Sequence, residues 1–240
     1  MSSQSISKVA TAGAVLAAIA VSLPAIGILG IQLGALAPMT GFTFFTAGAV
    51  LGGLSSLVLG LIGLVLTRGG SDGEGRKRAM IALGGGVALL GAVAVAGSPG
   101  AGLPPINDIT TNLQDPPQFD GDPSGRGRDM AYPRDWIPLV EEAYPDLTSH
   151  TMQEPVPAAV ATTVRAAESL GWTVTHSDPA SGLIEASDAT AIFQFVDDVA
   201  IRIRPASGGG STLDVRSKSR DGRGDVGANA ARIRALLAQL

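Results

Sequence analysis

The chain contains no cysteine, so disulfides, thiolate metal sites and cysteine nucleophiles are excluded. Histidine is nearly absent too: His150 and His176 are the only two, which removes most zinc sites and Ser-His-Asp arrangements. Charge is missing from two long stretches, one between Lys8 and Arg68 and one between Arg78 and Asp108. The net charge is −4, and residues 103–198 hold sixteen acidic against four basic side chains, which argues against nucleic acid as a partner.

The uncharged stretches are apolar and long. A membrane-spanning helix needs roughly 20 mostly apolar residues, and three segments are expected to span: 9–36, 42–66 and 79–97. Pro24 kinks the first, which a membrane helix tolerates. That first run exceeds the roughly 7–15 apolar residues of a cleaved signal core, so it reads as an uncleaved anchor. Arg68, Arg76, Lys77 and Arg78 fall between the second and third segments, whereas the loop 37–41 is uncharged. The positive-inside rule then places the basic loop, Lys8 and the N-terminus in the cytoplasm. Residues 1–102 are therefore expected as the multi-pass region of a bacterial-type inner (plasma) membrane, with the lipid bilayer as a partner. The C-terminal half is expected in the periplasm or an equivalent space. Gly30-x-x-x-Gly34 and Gly48-x-x-x-Gly52 have the small-residue spacing that lets membrane helices pack closely.

Residues 103–135 are rich in Asp, Pro and Gly and read as an extended linker arm, and 136–240 as a compact domain. Pro157 suits a first helical turn, Val160, Val164, Ala167 and Leu170 follow at helical spacing, and Gly171 offers a stop. Strands are expected at 172–176, 183–188 and 191–196, with Trp172 and Phe193 or Phe195 as core residues. The clearest strand is 199–204, where Val199, Ile201 and Ile203 face inward and Arg202 and Arg204 outward. Ser207-Gly208-Gly209-Gly210 is a hairpin loop. The return strand 212–218 puts Leu213 and Val215 inward and Asp214, Arg216 and Lys218 outward, with Asp214 opposite Arg202 or Arg204. Asp225 looks like the N-cap of a last helix whose apolar stripe is Val226, Ala230, Ile233, Leu237 and Leu240. The expected fold is α+β: a small antiparallel sheet with two helices on one face and polar, basic groups on the other.

The densest collection of candidate site residues is Arg216, Ser217, Ser219, Arg220, Arg223, Asp225 and Asn229, between a strand and a helix N-terminus. Guanidinium groups and free backbone N–H groups there could hold a carboxylate or phosphate. The reading preferred over a ligand site is structural: these side chains cap the helix and tie down the arm, with Asp108 and Asp115 as their partners. Asp197-Asp198 reads as a solvated turn or bulge, and less readily as a divalent-cation site. No catalytic set, metal site or cofactor is expected.

Residues 103–240 resemble the domain-of-unknown-function 1499 family. The matching pieces are 105–111 (Pro-Ile-Asn-Asp-Ile-Thr-Thr), Asp115-Pro116-Pro117, Tyr132-Pro133, and an ending that runs from Asp214-Val215-Arg216-Ser217 through Ser219, Arg220, Gly222, Arg223, Asp225 and Gly227 to Asn229. Gly224 stands where the family usually has Ser. The resemblance implies a membrane-linked envelope location and no particular reaction. The expected function is accordingly a membrane-anchored interaction or assembly module with an envelope protein partner. The alternatives are a binding domain for an anionic or amphiphilic ligand such as a lipid head group, using Arg216, Arg220 and Arg223, and a metal-dependent hydrolase using Asp197, Asp198 or Asp225.

Overall fold

The computed structural model describes residues 19–20, 22–69 and 73–240. The chain divides into two compact units. One comprises the helices up to Pro99 together with Ala191–Gln194, and the other Gly100–Thr190 with Phe195–Leu240.

The helical unit contains α1 (Ser22–Gln32), α2 (Pro38–Leu66) and α3 (Gly73–Gly97). Among the described residues two helices, α2 and α3, are long and apolar enough to cross a membrane, not three. The first expected span ends at Gln32 and not at Leu36, because Gly34, at φ +69°, turns the chain there. The N–H groups of Ala35 and Leu36 then close back on the Gly30 carbonyl. The rest of that span, residues 9–18 and 21, lies outside the described residues. Helix α3 begins earlier than expected, so Arg76, Lys77 and Arg78 lie on its first turns and not in a loop. Glycines set the helix crossings. A Cβ added at Gly48 would fall 2.4 Å from Pro24, and one at Gly52 would fall 2.2 Å from Ala20. Gly48 thus admits α1 against α2, and Gly52 admits Ala20, just before α1.

The second unit is a mixed helix-and-sheet fold. Its elements are β1 (Asp108–Thr110), α4 (Ile137–Ala143), β2 (His150–Met152), α5 (Val156–Ser169), β3 (Thr173–Asp178), β4 (Leu183–Ala189), β5 (Val196–Pro205), β6 (Ser211–Ser219) and α6 (Ala228–Leu237). The six strands form one antiparallel sheet in the order β1-β6-β5-β4-β3, and β2 also pairs with β6. Alternation along β5 and β6 builds the core. Ile201 pairs with Val215 and Ile203 with Leu213. All four are buried in one cluster with Ala159, Val160 and Ala167 of α5 and Ala230, Ile233 and Leu236 of α6.

Three expectations are corrected. Of the strand expected at 191–196 only Val196 is strand, as the start of β5; 191–195 form a loop, closed by the Thr190 N–H on the Phe195 carbonyl, and Gln194 sits at φ +51°, which no strand residue adopts. Ala191–Gln194 groups with the helices, where Phe193 meets Phe42 and Phe45 edge-on at 5.0 and 5.1 Å, so Phe193 is not part of the sheet core. The last helix starts at Ala228, and Val226 is exposed at φ +53° and is no part of its apolar stripe.

Candidate functional site: a charge-locked arm and the cleft beside it

The arm is ordered chain laid on the sheet. Its anchor is β1, where Asp108 pairs in register with Lys218, Ile109 with Ser217 and Thr110 with Arg216. Asp108 and Arg216 are both fully buried. Arg216 donates to the two carboxylate oxygens of Asp108 from Nε at 2.8 Å and Nη2 at 2.7 Å, and Lys218 Nζ adds a third bond at 3.0 Å. The remaining guanidinium donors reach the arm carbonyls of Pro117 and Met130. The guanidinium carbon lies 5.1 Å from the Phe119 ring centroid and 5.3 Å from that of Tyr132. Burial pushes the Tyr132 hydroxyl well above the usual phenol range, and the nearby Asp108 charge adds to this.

Two further carboxylates repeat the pattern on the same face. Asp214, fully buried, accepts from Arg202 at 3.0 Å, Arg204 at 2.8 Å, Asn112 and Ser149. Asp115 of the arm joins Arg202 and Arg204, each at 3.1 Å. Asp198, also fully buried, is held by Arg128 of the arm and by Arg220. Arg128 also binds Asp122 at 2.7 Å. Burial alone would raise the Asp122 carboxyl, but hydrogen bonds from Arg128 and Ser124 outweigh it and hold the group far below the ordinary carboxylate range. The face expected to present open polar and basic groups is therefore covered, and its cations are neutralised within the chain.

The expected site residues do not converge. The two-residue period of β6 sends Arg216 to the arm face and Ser217 and Ser219 to the helix face. On the helix face Ser217 donates to Asn229 Oδ1 at 2.6 Å, Asn229 Nδ2 donates to Ser219 at 2.9 Å, and Arg232 donates to Asn229 Oδ1 at 3.0 Å. Arg232 continues to Asp197 at 2.7 Å and Asp188 at 2.9 Å. Burial raises the Asp197 carboxyl, against the opposing pull of Arg232 and Ser219. Asp225 accepts from the N–H groups of Gly227 and Asn229 at 2.9 and 2.8 Å, so it caps α6 from two residues before the Gly227 N-cap position. Asp197 and Asp198 are buried strand residues on opposite faces, not a solvated turn. They share no side from which to hold one cation together with Asp225.

Arg223 is the exception. It is exposed and makes no ion pair among the described residues. It lines a cleft of about 460 Å³ with Pro105, Ile106, Trp136 and Leu139. Sequence reasoning missed this cleft, because Trp136 ends a three-residue 3-10 turn and Leu139 lies in the seven-residue α4 that follows, both too short to show a period. It also missed Asp198, Arg128 and Arg232 as partners. A usable sign was present in the acidic excess of 103–198 facing eight basic and three acidic residues in 199–240.

Residues 108–240, more than half of the chain, match the family model described as "Protein of unknown function (DUF1499)". The chain belongs to that family. No curated protein and no solved structure matches it.

Proposed function

We propose that this family member is a membrane-anchored interaction or assembly module of the cell envelope, with its folded unit outside the cytoplasm, which acts by holding a partner and not by turning over a substrate. Arg68, Arg76, Lys77 and Arg78 gather at the adjoining ends of two apolar helices, and a cytoplasmic position for those ends makes α3 the exit helix. The observation that carries the proposal is the contrast between a sealed sheet face and an open cleft. Asp108, Asp198 and Asp214 engage Arg216, Lys218, Arg220, Arg202 and Arg204 internally. What the unit leaves open is a cleft lined by exposed Leu139, an unpaired Arg223 and the outer edge of Trp136, whose inner side packs on the core, and tryptophan and arginine are the residue types that dominate contact hot spots.

The test is co-purification of the full-length protein in mild detergent, with mass spectrometry of bound proteins and lipids. A stoichiometric component that is lost on Trp136→Ala supports the proposal. Repeated recovery of the bare protein argues against it. A second possibility, binding of an anionic amphiphile, is favoured by the pairing of one free cation with apolar walls in the same cleft.

A further inference from the structure

We infer that the cleft between the arm's start and α4 is a site for one anionic phospholipid of the bilayer, its phosphate on Arg223 and its upper acyl chain against Trp136 and Leu139. The inference rests on the anchored reading above and names the ligand class for the site left open there.

Four observations carry it. The volume, about 460 Å³, falls in the range of small-molecule sites. The walls are apolar and aromatic: Pro105 and Leu139 are exposed, and Trp136 is half-buried. Trp at the edge of an apolar surface with a cation beside it is the pairing found at membrane–water interfaces.

The third observation is charge. Arg223 alone keeps an unneutralised guanidinium at the cleft, because Asp221 is taken by Arg126 at 2.9 Å and Asp225 by the N–H groups that open α6. A planar guanidinium suits a phosphate diester by two parallel hydrogen bonds. The loop is held open for this contact. Asn107 donates to the Gly222 carbonyl at 2.7 Å, and Gly222 turns the chain at φ +88° just before Arg223. The same loop holds Val226 exposed at φ +53°, an unusual backbone for a β-branched residue, which turns an apolar side chain to the surface.

The fourth is covalent. Pro105 follows Gly97, the last residue of α3, by eight residues. Eight residues extend at most about 28 Å, so the cleft stays within that chain length of a bilayer holding α3. This favours a bilayer lipid over a soluble anion.

The chain contains two tryptophans, Trp136 and Trp172, and Trp172 is buried at 6% exposure. Trp136 is thus a built-in reporter. The full-length protein in dodecyl maltoside micelles is titrated with phosphatidylglycerol brominated on the upper acyl chain, with brominated phosphatidylcholine, and with glycerol phosphate as competitor. The expected result is saturable fluorescence quenching by the anionic lipid, absent in Trp136→Phe. Arg223→Gln should weaken it roughly tenfold or more, the loss of charge-assisted hydrogen bonds. Glycerol phosphate at equal concentration should not displace it.

Equal quenching by both lipids that is indifferent to Arg223→Gln overturns the site. Displacement by glycerol phosphate overturns the lipid assignment in favour of a soluble anion. A stoichiometric protein whose removal exposes Trp136 to quenching assigns the cleft to a protein instead. Carbonate-washed membranes separate the two levels. Protein retained in the pellet with unquenchable Trp136 defeats the cleft assignment alone, whereas protein released to the supernatant defeats the anchored reading.

Discussion

On one side of β5 and β6, Val199, Ile201, Ile203, Leu213 and Val215 pack against α5 and α6. On the other side of the same strands, Asp198, Arg202, Asp214, Arg216 and Lys218 pack against the arm. Both sides are closed, but by opposite means. The helix side gains from removing apolar surface from water, which is non-directional and tolerant of repacking. The arm side removes charges from water, which is costly unless each charge meets a partner with good geometry. The same sheet therefore has one forgiving face and one that accepts a single arrangement of the arm.

That difference predicts how each side breaks. The largest expected effect is Asp108→Ala, which leaves Arg216 buried without its carboxylate and should cost about 3–5 kcal/mol, read as loss of thermal and protease resistance of the folded unit. The paired change Asp108→Leu with Arg216→Met should recover most of this, since apolar replacement of a buried ion pair is often neutral or stabilising. Failure of the double variant to recover would mean that the Asp108 anchor has a role beyond closing the face.

Next in size is Ile201→Ala on the helix side, expected to cost about 2–5 kcal/mol as a packing cavity, with the arm amides still protected in hydrogen exchange. A smaller effect concerns pH. The Asp122 carboxyl is held below its unfolded value of 3.8, so its contribution is present above that value and is lost as pH falls toward its folded-state value. Asp122→Asn should flatten the acid side of the stability curve. Asp197 has the opposite sign, because burial raises its carboxyl, so it disfavours the fold increasingly as pH rises past the ordinary carboxylate range. The smallest effect is expected at Arg234–Asp146, whose side chains are 45% and 53% exposed. Arg234→Gln there should change stability by no more than about 1 kcal/mol.

The helix side was legible because period-two apolar alternation and the Gly-rich hairpin at 207–210 are local features. The pairing of Asp214 with Arg202 and Arg204 followed from the same register. That Asp108 and Asp115 of the arm meet arginines was legible as the structural reading of the 216–229 segment, but the full closure of the face was not, because contacts such as Arg128 with Asp198 join residues far apart in sequence. Alternation says that two side chains share a face, and is silent on what covers that face. β1 and β2 escaped notice because three residues carry no period. Residues 191–196 misled because Ile192, Phe193 and Phe195 have strand composition, while the positive φ of Gln194 is invisible in composition. The end of the first span was not legible, because in composition Gly34 completes a packing motif, whereas its backbone ends α1.

Hydrogen exchange of the full-length protein in detergent tests most directly whether the arm closes the sheet. The Thr111 N–H bonds to the Val215 carbonyl at 2.9 Å and the Ser219 N–H to the Asn107 carbonyl at 2.8 Å, which ties the arm to β6 at both ends of β1. These amides are expected to exchange with the β5 and β6 amides, as one cooperative unit, and Asp108→Ala is expected to free the Thr111 amide first. Thr111 exchanging at the rate of exposed chain in the unaltered protein, while β5 and β6 stay protected, would contradict closure by the arm.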